Sequence, residues 1–402
     1  MRNDWFYIVN FSLPLLCLLT NWICYRLALH VFPALNRRLF RLLFVSGSLL
    51  SLTAVLYARF SFRWHSFPDF SGFIFGVYAA IGWNLSQMIA VVLLPPFLLL
   101  FWFFRQRPAI TRSIAGRIES LSRRRFLSGL LALPPCLGTG ITVSGLSGAH
   151  ADPEVNRLRL RIPDLPAELS GLTIVQISDT HLGPFFDLDK LDRLLQRVAA
   201  ERPDLLLITG DLVDDLALLP AALEKIDRLQ PLCRLGMYFC LGNHEYFRDI
   251  SQVRRLLDGS KLTTLTNRHQ LLQAGKRPFY LLGVDYPPTR NPADRRVLCQ
   301  HYFRQAADGV PANAITLLIA HHPDFIFDAF DAGVHLTLAG HTHGGQLGLL
   351  GQPVLPFGFQ FQRGLYRQDD ALAYVNVGAG HWLPFRLGCP AELAVLTLVP
   401  AP

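Results

Sequence analysis

The sequence lacks several features that would identify common classes of protein. It has no long internal repeat, no low-complexity tract and no Cys-x-x-Cys pair among its seven cysteines. The cysteine spacing therefore gives no readable disulfide framework. Three of the cysteines lie in apolar segments, where a thiol usually behaves as a small buried hydrophobic group. We assign no catalytic role to any cysteine.

Acidic residues are scarce near the N-terminus. The first 125 residues contain about fourteen Arg and three acidic residues, whereas the remainder is mildly acidic, so the net charge of +8 belongs to the N-terminal segments. The C-terminal part has no clustered basic stripe with interleaved aromatic residues. The composition therefore gives no indication of nucleic-acid binding.

Three long apolar segments fill the N-terminal region, at about residues 5–32, 42–57 and 73–104. The first is long enough to cross a bilayer of roughly 30 Å. The third is longer than one crossing requires, and Pro95-Pro96 could kink it or divide it into two short crossings; we favour one tilted or kinked helix. We predict a transmembrane region of about three helices over residues 1–121.

Arginine placement predicts the orientation of these segments. Three arginines follow the first segment and seven lie between residues 105 and 125, whereas the intervening loop has only Arg59 and Arg63. The positive-inside rule places the first and last of these loops in the cytoplasm.

Residues 122–151 have two possible interpretations. The motif Ser122-Arg123-Arg124-Arg125-Phe126-Leu127, an apolar run and Ala149-His150-Ala151 resemble a twin-arginine export signal with its cleavage site, although here the motif is internal. The alternative is a short fourth transmembrane helix after an ordinary basic loop. Both interpretations place the remainder of the chain outside the cytoplasm. They predict a multi-pass protein of the inner membrane with an extracytoplasmic catalytic domain.

Residues 152–402 alternate short apolar runs with helical patterns, which predicts a mixed α/β catalytic domain. Helices are expected near residues 188–200 and 218–229, and strands near residues 205–209 and 237–241. Five further apolar runs toward the C-terminus supply too many strands for one small parallel sheet.

Candidate ligands follow five of the apolar runs. His341 and His343 lie two residues apart in a glycine-rich stretch, so an extended or turn backbone projects both imidazoles to the same side. Loops at the ends of strands gather into one site in α/β proteins. The other four stretches are Asp179-Thr180-His181, Gly210-Asp211, Gly242-Asn243-His244-Glu245 and His321. Together they predict a metal site.

This ordered series resembles the calcineurin-like metallophosphoesterase superfamily over roughly residues 170–400, and the signal-like segment resembles its bacterial, membrane-anchored branch. The resemblance implies two packed mixed β-sheets flanked by helices. It also implies that one metal ion binds Asp179, His181 and His343, that a second binds Asn243, His321 and His341, and that Asp211 bridges them. Carboxylate, amide and imidazole ligands suit Mn²⁺, with Fe or Zn as alternatives.

The resemblance further implies hydrolysis of a phosphoester or phosphoanhydride by a hydroxide that bridges two divalent ions. His244 is expected to contact the phosphate or to protonate the leaving oxygen, and the alternative is that it only orients the turn at Asn243. We treat the neighbouring His322 as a variable position, and His269, His301, His335 and His381 as ordinary histidines.

The physiological substrate is not determined by the fold. Membrane attachment makes a lipid-linked or envelope phosphate ester a reasonable partner, and a soluble phosphodiester is equally open. A rival hypothesis is a non-catalytic, membrane-anchored module that senses metal or phosphate. A transporter is a second rival, but the apolar segments hold almost no ionisable residues apart from Arg26 and His30. The oligomeric state is not predicted.

Overall fold

The computed structural model describes residues 4–32, 37–64, 71–111, 123–272, 277–289, 291–349, 352–354, 358–381 and 383–401. Arg112, Arg117 and Ser122, which belong to the basic loop and the signal-like motif, lie outside the described residues. The chain divides into two compact units, Met1–Ser147 and Gly148–Pro402.

The first unit is helical. Its helices are α1 (Asp4–Val31), α2 (Arg37–Trp64), α3 (Ser71–Gln106) and α4 (Arg123–His150), the last of which continues into the second unit. Helix α3 continues without a break through Pro95 and Pro96.

Three of these helices are long and apolar enough to cross a membrane. The candidate spans are Leu13–Val31, Gly76–Gln106 and Arg123–His150. Helix α2 is more amphipathic than the other three helices, and it is not among the candidate spans found in the described residues. The number of crossings stays a prediction.

A buried polar cluster joins α1, α2 and α3. The Asn21 side chain accepts hydrogen bonds from Ser48 Oγ at 3.2 Å and from Trp83 Nε1 at 2.7 Å, and it donates to Asn84 Oδ1 at 3.2 Å. Asn84 in turn donates to Ser51 Oγ at 2.6 Å. Polar groups in an apolar bundle are costly unless they find such partners, so this cluster fixes how the three helices face one another.

The second unit contains two six-stranded mixed sheets. The first has the order β1 (Glu154–Ile162), β14 (Glu392–Pro400), β2 (Thr173–Ile177), β3 (Leu205–Thr209), β4 (Met237–Cys240) and β5 (Thr263–Thr264). The second has the order β12 (Gly364–Gln368), β13 (Ala371–Val375), β9 (Leu336–Ala339), β8 (Ile315–Ile319), β7 (Phe279–Gly283) and β6 (Arg268–Leu272). A separate hairpin consists of β10 (Gly348–Leu349) and β11 (Gln352–Pro353).

Within the two six-stranded sheets most neighbouring strands are parallel, and the exceptions are the pairs β14/β2, β12/β13 and β6/β7. The helices of this unit are α5 (Leu188–Ala200), α6 (Leu219–Asp227), α7 (Asn243–Phe247), α8 (Ile250–Asp258), α9 (Pro292–Ala307) and α10 (Phe325–Asp331). The predicted architecture, two mixed sheets flanked by helices, is confirmed.

The sheets pack face to face, with a helical layer outside each. Leu205 and Leu207 on β3 share one buried cluster with Leu317 on β8 and Leu338 on β9. Helices α5, α6 and α8 cover the outer face of the first sheet, and α9 and α10 cover part of the other. Because both faces of the central strands are buried, those strands are mostly apolar rather than alternating.

The parallel strands bring the predicted ligands together. Strands β2, β3 and β4 run parallel in one sheet, and β8 and β9 run parallel in the other. The loops that follow these five strands carry the seven candidate ligands. Carboxyl ends of parallel strands meet at one edge, so residues far apart in sequence converge there.

Candidate metal centre

The candidate ligands adopt backbone conformations that ordinary residues avoid. In the described part of the chain, ten residues other than glycine have positive φ, and five of them are candidate ligands: Asp179, His181, Asp211, His341 and His343, with φ between 49° and 73°. Such conformations cost of order 1–3 kcal/mol each and concentrate at functional sites. The strain directs these side chains away from their strands and toward a common point.

Glycines allow the loops to approach one another closely. A Cβ atom on Gly210, whose φ is +81°, would lie 2.6 Å from Nδ1 of His321, and one on Gly242 would overlap the carboxylate of Asp211. The glycines before Asp211 and Asn243 are therefore steric requirements of the site.

One cluster consists of Asp179, His181 and His343, whose ligand atoms all lie within 4.8 Å of one another. Nε2 of His181 lies 2.9 Å from Nε2 of His343, and Asp179 Oδ1 lies 3.4 Å from the same His343 nitrogen. All three side chains are buried.

A second cluster centres on Nε2 of His321. Asn243 Oδ1 and His341 Nδ1 each lie 3.0 Å from it, and Asp211 Oδ2 lies at 3.2 Å. His321 Nδ1 faces the Thr209 carbonyl oxygen at 2.8 Å, so Nδ1 carries the proton and the neutral ring presents a lone pair at Nε2. Four lone-pair donors then face one point.

Four lone pairs that face one point repel one another, so the arrangement requires a positive charge between them. Burial lowers the pKa of His321, but the carboxylates of Asp211 and Asp179 and the Thr209 carbonyl together outweigh burial and raise the pKa to about 10. A proton on Nε2 or a divalent cation can supply the charge, and a ligand set of Asp, His and Asn is the type that Mn, Fe and Zn accept. The residues therefore fit a metal ion.

Asp211 lies between the clusters. It belongs to the second cluster, and it also forms a group of possible ligands with His181 and His244. Its Oδ2 lies 3.7 Å from His181 Nε2 and 3.2 Å from His321 Nε2. The structure thus brings all seven predicted ligands into one buried region. Their assignment to two metal ions, with Asp211 as the bridge, stays a prediction.

Asp214 is a site residue that sequence reasoning missed. Its carboxylate lies 2.5 Å from His244 Nδ1 and 3.3 Å from His181 Nδ1, and it accepts a hydrogen bond from Arg248 at 2.8 Å. Its spacing, three residues after Asp211 on the same loop, is the signal that could have identified it. Because Asp214 occupies Nδ1 of His244, it leaves Nε2 of that ring to face the site.

His244 retains a proton in this environment. Burial lowers the pKa of His244, but the carboxylates of Asp211 and Asp214 outweigh burial and raise the pKa to about 9. Conversely, burial raises the pKa of Asp214, but the charges and hydrogen bonds of His244 and His181 together outweigh burial and hold that pKa well below its usual range. Unlike most of the site, the His244 side chain is 12% exposed.

Glu245 was not given a role by the sequence. Its buried carboxylate accepts three backbone hydrogen bonds, from Gly242 at 2.7 Å, Leu212 at 2.8 Å and Asp211 at 3.0 Å. It therefore joins the loop after β3 to the turn after β4, and so sets the separation of Asp211 and Asn243.

The other histidines have different surroundings. His322 is buried next to the site, and its Nδ1 accepts a hydrogen bond from the Asp324 amide at 3.2 Å. His335 contacts Thr316, and His269 contacts the carbonyl oxygen of Ala306. None of these three belongs to the metal-type clusters found among the described residues.

The fold and the clusters define the class of metal-dependent phosphoester hydrolases, and comparison with known proteins agrees. The model of the calcineurin-like phosphoesterase family matches residues 172–345, which contain every candidate ligand. A "Transmembrane protein with metallophosphoesterase domain" from Bos taurus is 32% identical over 307 residues, or 72% of this chain and 67% of the relative.

Two bacterial relatives show a similar degree of identity. "Phosphodiesterase YaeI" from Escherichia coli is 30% identical and covers 69% of this chain and 100% of its own length. "Uncharacterized metallophosphoesterase YkuE" from Bacillus subtilis is 28% identical over 70% of this chain and 99% of its own. The chain belongs to the calcineurin-like metallophosphoesterase family, as its motifs predict. Its apolar helices indicate a membrane protein.

Proposed function

We propose that this protein is a membrane-attached phosphodiesterase that uses two divalent metal ions, with Mn²⁺ as the first choice. The observation that carries the proposal is the convergence of lone-pair donors on His321 Nε2 and on the His181–His343 pair, with Asp211 between them. When bound, the ions supply an activated water and screen the negative charge of the phosphate.

The protein's own residues divide the remaining work. Asp179, His181 and His343 would hold one ion, Asn243, His321 and His341 would hold the other, and Asp211 would serve both. His244 donates its Nε2 proton to the leaving oxygen as the phosphorus–oxygen bond breaks. Asp214 keeps the His244 ring oriented and protonated for that transfer, and Arg248 fixes Asp214.

The charges around the site favour a diester over a monoester. Among the described residues, three guanidinium groups lower the pKa of a site histidine by their positive charge: those of Arg248, Arg295 and Arg386. Arg248 pairs with Asp214 and Arg295 with Asp324, while Arg386 donates to backbone carbonyl groups. A terminal phosphate dianion needs additional cationic partners, whereas a diester carries one negative charge.

For the topology we propose a multi-pass protein of the inner membrane, with the catalytic domain, residues 152–402, outside the cytoplasm. The arginine distribution supports this arrangement, which requires α2 to cross the membrane together with the three candidate spans. Digestion of the C-terminal unit by protease added to spheroplasts would support it. Complete protection until the membrane is permeabilised would contradict it.

The test uses the full-length protein in detergent, stripped of metal and reloaded separately with Mn²⁺, Zn²⁺, Fe²⁺ or Mg²⁺. Hydrolysis of bis-p-nitrophenyl phosphate and of p-nitrophenyl phosphate would be followed beside metal content measured by mass spectrometry. Asp211→Asn removes the proposed bridge, and Asp189→Asn makes the same chemical change at an exposed position of α5.

We expect metal-dependent hydrolysis that favours the diester, two ions per chain, and loss of at least a hundredfold in activity in Asp211→Asn but not in Asp189→Asn. Tight metal binding without turnover of either compound would contradict the enzymatic proposal and favour the sensor. Equal activity of the two variants would exclude Asp211 from the reaction.

A further inference from the structure

Aromatic side chains surround the two most accessible histidines of the site. The ring of Phe247 lies 5.2 Å from that of His244, and the ring of Phe359 lies 5.4 Å from that of His341. The ring of Tyr286 lies 6.1 Å from that of His341. We call Phe247, Tyr286 and Phe359 the aromatic rim.

The rim differs from an ordinary packing layer in its exposure to solvent. Phe247 is 48% exposed, and Tyr286 and Phe359 are partly exposed, whereas the ligands behind them are mostly buried. A ring that served only to support an imidazole would be expected to lie inside the core. Large apolar groups left open beside a charged site are typical of binding surfaces for ligands with an apolar part.

A second apolar feature lies on the loop that leads to Phe359. After the turn at His343, the chain forms the hairpin β10–β11, and the large apolar side chains Leu349 and Val354 on this segment are both exposed. Such a segment is costly in water and favourable in contact with lipid.

We propose that the aromatic rim binds the apolar part of a lipid phosphodiester, so that the natural substrate class is a phospholipid or a lipid-linked diester. This rests on the proposed phosphodiesterase function. The diester phosphorus sits over the metal centre, and the acyl or alkyl part of the ester packs against Phe247 and Phe359. A nucleoside diester is the other substrate class whose ester group such rings accept. The membrane helices of the same chain make a lipid more accessible to the site than a soluble nucleotide.

Three p-nitrophenyl phosphodiesters that share one leaving group test the proposal. Their second ester group is methyl, hexyl or thymidine, so differences in kcat/KM report binding of that group rather than chemistry. The full-length, metal-loaded protein would be used below the aggregation concentration of the hexyl compound. Equilibrium binding of a hexyl phosphonate and of a methyl phosphonate gives a readout independent of turnover.

The variants are Phe247→Ala and Phe359→Ala, with Phe247→Trp as the conservative replacement. Leu271→Ala removes an apolar side chain of similar exposure on β6 as the matched control. We expect the wild type to favour hexyl over methyl at least tenfold, since burial of a few methylene groups is worth about that factor. Both alanine variants should lose most of this ratio, while Phe247→Trp and Leu271→Ala should keep it.

Three results would overturn the proposal. An unchanged hexyl-to-methyl ratio would show that the rings do not contact the ester. Equal losses on all three substrates, with weaker binding of both phosphonates, would show that the rings only position His244 and His341. Preference for the thymidine ester would make the substrate a nucleoside diester. If no diester is hydrolysed by any variant, the phosphodiesterase proposal itself fails, which is a separate outcome.

Discussion

At the scale of single residues, much of the site depends on partners of the ligands rather than on the ligands themselves. Asp214 and Glu245 are both buried carboxylates, but they act differently: Asp214 contacts two imidazoles, whereas Glu245 accepts three backbone amides. A side chain that fixes the backbone of two loops controls distances between ligands. A side chain that contacts a ring nitrogen controls its protonation and orientation.

Replacement of Asp214 by Asn should impair proton donation by His244. The change removes the charge that favours the His244 imidazolium, so we expect kcat/KM to fall about a hundredfold for diesters with alkyl leaving groups. The loss should be much smaller for p-nitrophenyl esters, because p-nitrophenolate leaves without a proton. Rates across a series of leaving groups measure this difference.

Asp215→Asn is the matched control, because Asp215 is the next residue and its carboxylate accepts a hydrogen bond from the Ala217 amide. It should leave the dependence on leaving group unchanged. Equal losses of Asp214→Asn on good and poor leaving groups would mean that Asp214 acts through metal binding or folding instead.

At the scale of elements, strands β8 and β9 are held together by a histidine outside the site. The His335 ring accepts hydrogen bonds from the Thr316 amide at 3.3 Å and from its hydroxyl group at 3.1 Å. Burial, followed by the positive charge of Arg277, lowers the pKa of His335 from its ordinary value of 6.5. The folded state therefore favours the neutral ring.

This gives His335 a predictable pH dependence. Its pKa is lower in the folded than in the unfolded state. The stability that the neutral ring contributes is therefore complete above about pH 6.5 and decreases as pH falls below that value, by at most about 1.4 kcal/mol per pH unit.

In His335→Asn the amide oxygen can still accept a hydrogen bond from Thr316, but the side chain does not titrate. Denaturant unfolding at pH 7 and pH 5 should show a smaller loss of stability for the variant; equal losses would refute this.

In the first unit, α4 packs against α3 at a glycine. A Cβ atom on Gly138 would lie 2.6 Å from the carbonyl oxygen of Ser86 and 2.9 Å from the amide nitrogen of Ala90, whereas one on Gly140 would meet nothing within 4 Å. Small residues allow this close approach of helix backbones in a membrane.

Gly138→Ala should therefore destabilise the helical unit by about 1–3 kcal/mol, because the helices must separate. Gly140→Ala, two residues further along α4, is the matched control and should be neutral or slightly stabilising, since Ala favours helix. Thermal labelling of Cys17 and Cys24, which are buried in this unit, followed by peptide mass spectrometry, measures the effect. Identical labelling curves would contradict the proposed contact.

At the scale of the whole molecule, the two units should respond differently to metal ions. The candidate ligands come from five loops of the second unit, so only its folded state can assemble them. An ion that binds the folded state alone stabilises it by about 2.7 kcal/mol when its free concentration is about a hundred times Kd.

Addition of Mn²⁺ to the metal-stripped protein should therefore raise the unfolding temperature of the second unit by several degrees and leave that of the helical unit unchanged. Asp211→Asn should abolish most of the shift, because it removes the carboxylate between the clusters. Differential scanning calorimetry of the full-length protein distinguishes the two transitions. Equal shifts of both units, or a full shift in the variant, would argue against the site.

The sequence predicted local structure well where burial is uniform. Strands were expected near residues 205–209 and 237–241, and the structure has β3 at Leu205–Thr209 and β4 at Met237–Cys240, because a run of apolar residues buried on both faces has a clear pattern. The short strands β5, β10 and β11 were not predicted. They have too few residues for an alternation of apolar and polar side chains to be recognised, and the pairing of β5 depends on a strand distant in sequence.

The sequence alone determined the family, the α/β class and the set of candidate ligands, because Asp, Asn and His at the ends of apolar runs are a local pattern. Only the tertiary structure decided which groups face one another: that Asp214 contacts both His181 and His244, that Glu245 joins two loops, and that an aromatic rim borders the accessible histidines. Distances between residues on different strands depend on how the two sheets pack, and no spacing along the chain specifies them.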